Sequence, residues 1–115
     1  MSKRGDLEFL SDINEAIKRI EKYTKKVGYS SFAKNTKTQD AVVRNIEIVG
    51  EAAKSISDNT KKESQQIPWK KLAGIRDRLI HNYFGVNYDI IWAVAKKELK
   101  EISPEIDRLL QKIKK

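Results

Sequence analysis

The stretch from Leu7 to Val27, LEFLSDINEAIKRIEKYTKKV, decides the fold class. Leu7, Leu10, Ile13, Ile17, Ile20 and Val27 recur at spacings of three, four and seven, with Lys18, Arg19, Glu21 and Lys22 between them. That is the period of an amphipathic helix with one buried stripe. Glu15 and Glu21 stand three or four residues from Lys18, Arg19 and Lys25, so the outer face can form weak local ion pairs. Gly28 is expected to close this helix.

The same reasoning extends along the chain. Tyr29 to Lys37 is polar and reads as a loop or a single helical turn. Thr38 is the expected N-cap of a second helix, whose stripe is Ala41, Val42, Ile46, Val49, Ala52, Ala53 and Ile56 and which runs to about Ser57. Asp58 to Gln66 carries no large apolar group and reads as a mobile loop. Pro68 suits the first position of a third helix, with Trp69, Leu72, Ile75, Leu79, Ile80 and Tyr83 on its apolar face and Gly85 at its end. Asn87 can cap a fourth helix, and Ser103 with Pro104 marks either a kink within it or a new start. The expected fold is therefore all-α, an antiparallel bundle of four to five helices forming one domain over residues 1–115.

Composition agrees and narrows the function. The chain has 115 residues, 39% hydrophobic and 35% charged, with two Trp, four Tyr and three Phe, which fits a folded globular protein. Five Gly and two Pro are too few for the frequent turns of an all-β domain. Without cysteine there is no disulfide framework and no thiolate chemistry, and a single histidine excludes a multi-histidine metal centre. No cofactor is expected. The net charge of +8 permits a polyanionic partner such as nucleic acid, although lysine-rich surfaces also serve solubility alone. No apolar stretch has the length of a signal peptide or a membrane span, so the cytoplasm is the expected compartment and no membrane partner is expected.

The reactive groups concentrate in Arg76, Asp77, Arg78, Leu79, Ile80, His81, Asn82 and Tyr83. Asp77 and His81 are four apart and can meet on one helical turn, where the carboxylate orients the imidazole. Arg76 can hold a phosphate with its planar fork. A base, an acid and a cation are the parts of metal-free RNA cleavage, yet a lone histidine near a helix end is also favoured by the helix dipole alone. On a straight helix Arg76 and His81 stand roughly 140° apart. Arg76 also falls inside the apolar arc of Trp69, Leu72, Leu79 and Tyr83, which requires an answering carboxylate, Glu47 or Glu51, or a partner subunit. Either the helix unwinds near Gly85 or, the favoured reading, two subunits pair about a two-fold axis through the third and fourth helices and share a cleft.

The string R-x4-H-x-Y resembles the HEPN domains and, within them, the HepT-like toxin subunits of toxin–antitoxin pairs. Arg44 to Ala53 of the second helix and Pro68 with Trp69 add to the likeness, which covers about Leu7 to Leu110. The resemblance implies a homodimeric, metal-independent endoribonuclease in which Arg76 and His81 act on the scissile phosphate and Asp77 is the supporting polar group. Arg78, Asn82, Glu47 and Glu51 are candidate supporting residues. It further implies a nucleotidyltransferase antitoxin of the MNT type that neutralises the toxin by transferring AMP to the motif tyrosine, here Tyr83. The alternative is a non-catalytic module that binds nucleotides or docks such a nucleotidyltransferase; a helical adaptor with no chemistry ranks behind it. Trp69, Tyr83 and Phe84 are the candidate surfaces for base stacking.

Overall fold

A computed structural model describes residues 5–80 and 87–114, and every regular element in them is helical. The helices are α1 (Asp6–Thr24), α2 (Tyr29–Lys34), α3 (Thr36–Ser55), α4 (Asp58–Glu63), α5 (Trp69–Ala73), α6 (Ile75–Ile80), α7 (Tyr88–Ala93) and α8 (Leu99–Lys114). A π-helical segment, Val94–Glu98, joins α7 to α8. The all-α expectation is met: α1, α3, the α5–α6 pair and the α7–α8 arm form the bundle, and α2 and α4 are short supports.

Its core is the set of stripes read from the sequence. Leu10, Ile13, Ile17 and Ile20 of α1 meet Val42, Ile46, Val49 and Ala53 of α3, and Ile75, Leu79, Ile91, Val94, Leu99 and Ile106 close the interior, all essentially without exposure. Burial of this apolar surface is the main term holding the helices together. Asp6 at the start of α1 reaches Ser57 beyond the end of α3, so these two long helices run antiparallel.

The ends of the helices differ from the sequence reading, each for a local reason. Helix α1 stops at Thr24, not at Gly28: the buried Thr24 hydroxyl donates back to the Ile20 carbonyl at 2.8 Å and Lys26 takes a φ of 61°. Gly28 is instead the N-cap of α2. Helix α3 starts two residues before Thr38, because Asn35 Oδ1 accepts from the Thr38 amide at 3.0 Å. Asn87 caps α7 as expected, accepting from the Ile90 amide. Helix α8 runs through Pro104 without a new start.

Two further corrections shape the site. The segment after α3 is not a mobile loop: it is anchored by polar groups instead of apolar ones. Asp6 Oδ1 and Oδ2 accept from the Ser57 amide at 2.9 Å and the Ser57 hydroxyl at 2.6 Å, and Asp6 also accepts from the Thr60 hydroxyl. Trp69 Nε1 then donates to the Ser64 carbonyl at 3.1 Å. The third helix, expected to be continuous from Pro68, is broken at Gly74 (φ −92°, ψ 7°) into α5 and α6. The expected stop at Gly85 lies outside the described residues.

Burial raises the Asp6 pKa, but the hydrogen bonds from Ser57 and Thr60 outweigh it and hold the carboxyl below its ordinary value. A lowered folded pKa stabilises the protein above the unfolded pKa, and that stability is lost as pH falls through the folded value. Asp6→Asn is therefore expected to lower stability at pH 7 by about 1 kcal/mol, a figure reduced for solvent screening. The gap from wild type in thermal melts should close below the ordinary carboxyl range near pH 4; a gap that stays constant on acidification contradicts the anchor.

Candidate active site

The site is built on α6, and α6 is placed by a close helix approach. A Cβ added at Gly50 of α3 would lie 3.3 Å from the Leu72 carbonyl oxygen and 3.1 Å from Ile75 Cγ2. Glycine is unfavourable in a helix interior by about 1 kcal/mol relative to alanine, and here it lets the α5 backbone rest on α3. One turn earlier on α3, Glu47 Oε2 stands 3.4 Å from Arg76 Nε.

The break at Gly74 changes which residue of α6 enters the core. Ile75 and Leu79 are buried, and the Arg76 side chain is 57% exposed, outside the apolar arc in which an unbroken helix would have put it. Its charge is answered within the chain by Glu47, so no partner subunit is needed for that purpose. Glu51, the other carboxylate considered, is directed to Lys54 at 3.7 Å. Among the described residues the single long contact with Glu47 is all that engages the Arg76 guanidinium, so both terminal nitrogens are available to a phosphate. Asp77 is also exposed, on the first turn of α6.

Arg78 has a different assignment. Its Nη1 and Nη2 each donate to one oxygen of Glu98 at 2.8 Å, a bidentate pair, and Lys71 Nζ adds a contact to the same carboxylate at 3.3 Å. The hydrogen bonds from Arg78 hold Glu98 below the usual carboxylate range, and the pairing holds Arg78 above the ordinary guanidinium value. Glu98 belongs to the π-helical segment, so this pair ties α6 to the α7–α8 arm. Sequence reasoning grouped Arg78 with the supporting residues and did not see Glu98, twenty positions away with no local spacing to reveal it. Trp69 is likewise not a stacking surface: it is 7% exposed, with its indole nitrogen bonded to Ser64.

His81, Asn82, Tyr83 and Phe84 lie outside the described residues. Asn87, the first residue described after α6, donates its amide to the Leu79 carbonyl at 3.1 Å. Among the described residues no three His, Cys, Asp or Glu side chains come together as metal ligands, and no helix is long and apolar enough to cross a membrane.

Comparison with known proteins places this sequence in a family. The family model described as ribonuclease HepT-like matches residues 13–113. A chain of Thermococcus cleftensis named "Probable ribonuclease HepT" is 39% identical over 107 residues, 93% of this chain and 97% of that one. A Methanocaldococcus jannaschii chain named "Putative RNase" is 42% identical over 113 residues, covering 98% of this chain and 93% of its own length. A chain of the same name from Caldanaerobacter subterraneus subsp. tengcongensis is 38% identical over 106 residues, 92% of this chain and 95% of its own. No solved structure matches. With the motif arginine exposed on α6 and the family model spanning nearly the whole bundle, the chain belongs to the ribonuclease HepT-like family.

Proposed function

We propose that this chain, a ribonuclease by family, is a metal-independent endoribonuclease toxin whose reacting groups are Arg76 and His81. The observation that carries the reading is the exposed Arg76 guanidinium, its terminal nitrogens unpaired among the described residues, five residues before His81 in the family-matched string. In the reaction His81 takes the proton of a ribose 2′-hydroxyl, the 2′-oxygen forms a bond to phosphorus, and the bond from phosphorus to the 5′-oxygen breaks. The imidazolium returns a proton to the departing oxygen, leaving a 2′,3′-cyclic phosphate. Arg76 stabilises the negative charge on the equatorial oxygens, and Asp77 supports the imidazole. Asn82, in the same string, assists in positioning.

Two copies pair about a two-fold axis through α5–α6 and the α7–α8 arm, so that both motifs line one cleft. The spacing of the string supports this arrangement, because five residues on an ideal helix would place Arg76 and His81 roughly 140° apart in azimuth. In the cytoplasm a nucleotidyltransferase antitoxin of the MNT type silences the site by transferring AMP from ATP to the Tyr83 hydroxyl, with pyrophosphate leaving, which puts a bulky anion where the substrate phosphate must sit.

Purified protein is expected to cut single-stranded RNA with EDTA present. His81→Ala should slow cleavage by at least about a hundredfold, the range of general acid–base catalysis, while stability changes by less than about 1 kcal/mol. Full activity in that variant removes His81 from the reaction. Co-expression with the neighbouring nucleotidyltransferase should add mass in steps of one AMP, absent from Tyr83→Phe, which stays active. Steps that persist in Tyr83→Phe identify another acceptor.

A further inference from the structure

Away from Arg76, the C-terminal end of α1 and the π-helical segment enclose a cleft of about 530 Å³. Its charged lining is Lys18, Lys22, Lys25, Lys26, Lys96 and Lys100 against one carboxylate, Glu21. Among the described residues none of the six lysines forms an ion pair; Lys96 alone has a fixed partner, donating to the Thr24 carbonyl at 3.2 Å, with its ammonium 5.4 Å from the centre of the Trp92 ring.

We infer that this lysine cleft is a second contact for the RNA, a track that holds the phosphate backbone while Arg76 and His81 act elsewhere on the strand. The inference rests on the ribonuclease reading. Lysines at the end of a helix offset its dipole, and that accounts for Lys22 and Lys25. It does not account for Lys18, a turn further back, or for Lys96 and Lys100, which come from other elements into the same opening at a cost in mutual repulsion.

Two backbone features hold this convergence in place. Lys26 sits at φ 61°, a conformation uncommon for a residue other than glycine. The wide turn of Val94–Glu98 lets Lys96 line the cleft while Glu98, two residues on, bonds Arg78 on α6. Such π segments are frequent at functional sites, and here one segment couples the cleft to the helix that carries Arg76.

The chemistry selects the ligand. Lysine is a compact charge on a flexible stem, suited to phosphates whose positions vary, whereas arginine forks demand a fixed geometry. A row of ammonium groups free of ion pairs in a concavity concentrates field and binds a single strand by counterion release without reading bases. The concave shape fits a strand better than a flat lipid surface.

The test uses a fluorescein-labelled 2′-O-methyl single-stranded RNA of about 15 nucleotides, close to one site size and without the reacting hydroxyl. Binding is measured by anisotropy over a salt series for the full chain, for Lys18→Glu/Lys22→Glu/Lys100→Glu, and for Lys62→Glu/Lys70→Glu/Lys112→Glu as a charge-matched control outside the cleft. The cleft variant should bind at least about tenfold more weakly than the control, with a salt slope smaller by about 2 for three lost phosphate contacts. With cleavable RNA its KM should rise while kcat is unchanged. Glutamine at the same positions gives the same direction if the reversal fails to fold. Equal losses in the cleft and control variants overturn the inference, as does a cleft variant that keeps RNA affinity and loses only binding to phosphatidylserine vesicles or to an acidic protein. Selective loss of binding by the cleft variant, with no cleavage by any protein, leaves the cleft standing and removes the nuclease reading. Cleavage with an unchanged KM does the reverse.

Discussion

The contact between α3 and α5 at Gly50 is the constraint on which the site depends. Because the α5 backbone comes within van der Waals reach of α3 there, α5 and α6 are fixed in height along the bundle, with Ile75 against Gly50 and Arg76 level with Glu47. Gly74 then resets the helix phase. Ile75 and Leu79 take the core positions, and the charge of Arg76 is turned to solvent with no burial to offset. The bidentate Arg78–Glu98 pair fixes α6 against the α7–α8 arm from the other side. Arg76, the arginine proposed to take the phosphate, is in this way mounted on a helix held by two contacts, and electrostatic catalysis asks such fixed placement of its donors.

Neighbouring arginines of similar appearance in the sequence are thus engaged in opposite ways. Arg78 has both ends of its fork satisfied at 2.8 Å by a half-buried carboxylate and adds rigidity. Arg76 keeps one long contact to Glu47 and has its fork to offer. In the proposed reaction a substrate phosphate would displace that single contact with Glu47 at 3.4 Å. The excess positive charge of the chain divides in the same manner: some of it is spent in ion pairs, and the lysines between α1 and the π-helical segment are not.

Much of the fold could be read from the sequence because it rests on periodicity. Leu10, Ile13, Ile17 and Ile20 announced α1, and Val42, Ile46 and Val49 announced α3, and each is buried as its spacing required. Helix ends were read less well, since an end is decided by one or two hydrogen bonds among several eligible residues; Asn35 and Thr38 can both cap, and Asn35 does. The 58–66 stretch was misread because an apolar criterion cannot see an anchor made by Asp6, Ser57 and Thr60, more than fifty residues apart in sequence. Around Arg76, the sequence offered Glu47 and Glu51 as answering carboxylates without deciding between them, and Glu47 is the one that approaches it. The separate role of Arg78, the orientation of Arg76 and the lysine cleft depend on Glu98, on the Gly74 break and on the π-helical segment, none of which has a local sequence signature.

The division between the two arginines is the central claim, and it is tested most directly by comparing Arg76→Lys with Arg78→Lys in one experiment that reads both thermal stability and RNA cleavage. Lysine keeps the charge and removes the fork. The account predicts that Arg76→Lys melts like the wild type and loses cleavage by about a hundredfold, the size of one lost transition-state donor, while Arg78→Lys melts several degrees lower and keeps its kcat at temperatures where it is folded. Loss of cleavage in Arg78→Lys with full activity in Arg76→Lys, or equal effects of both on stability and rate, would contradict it.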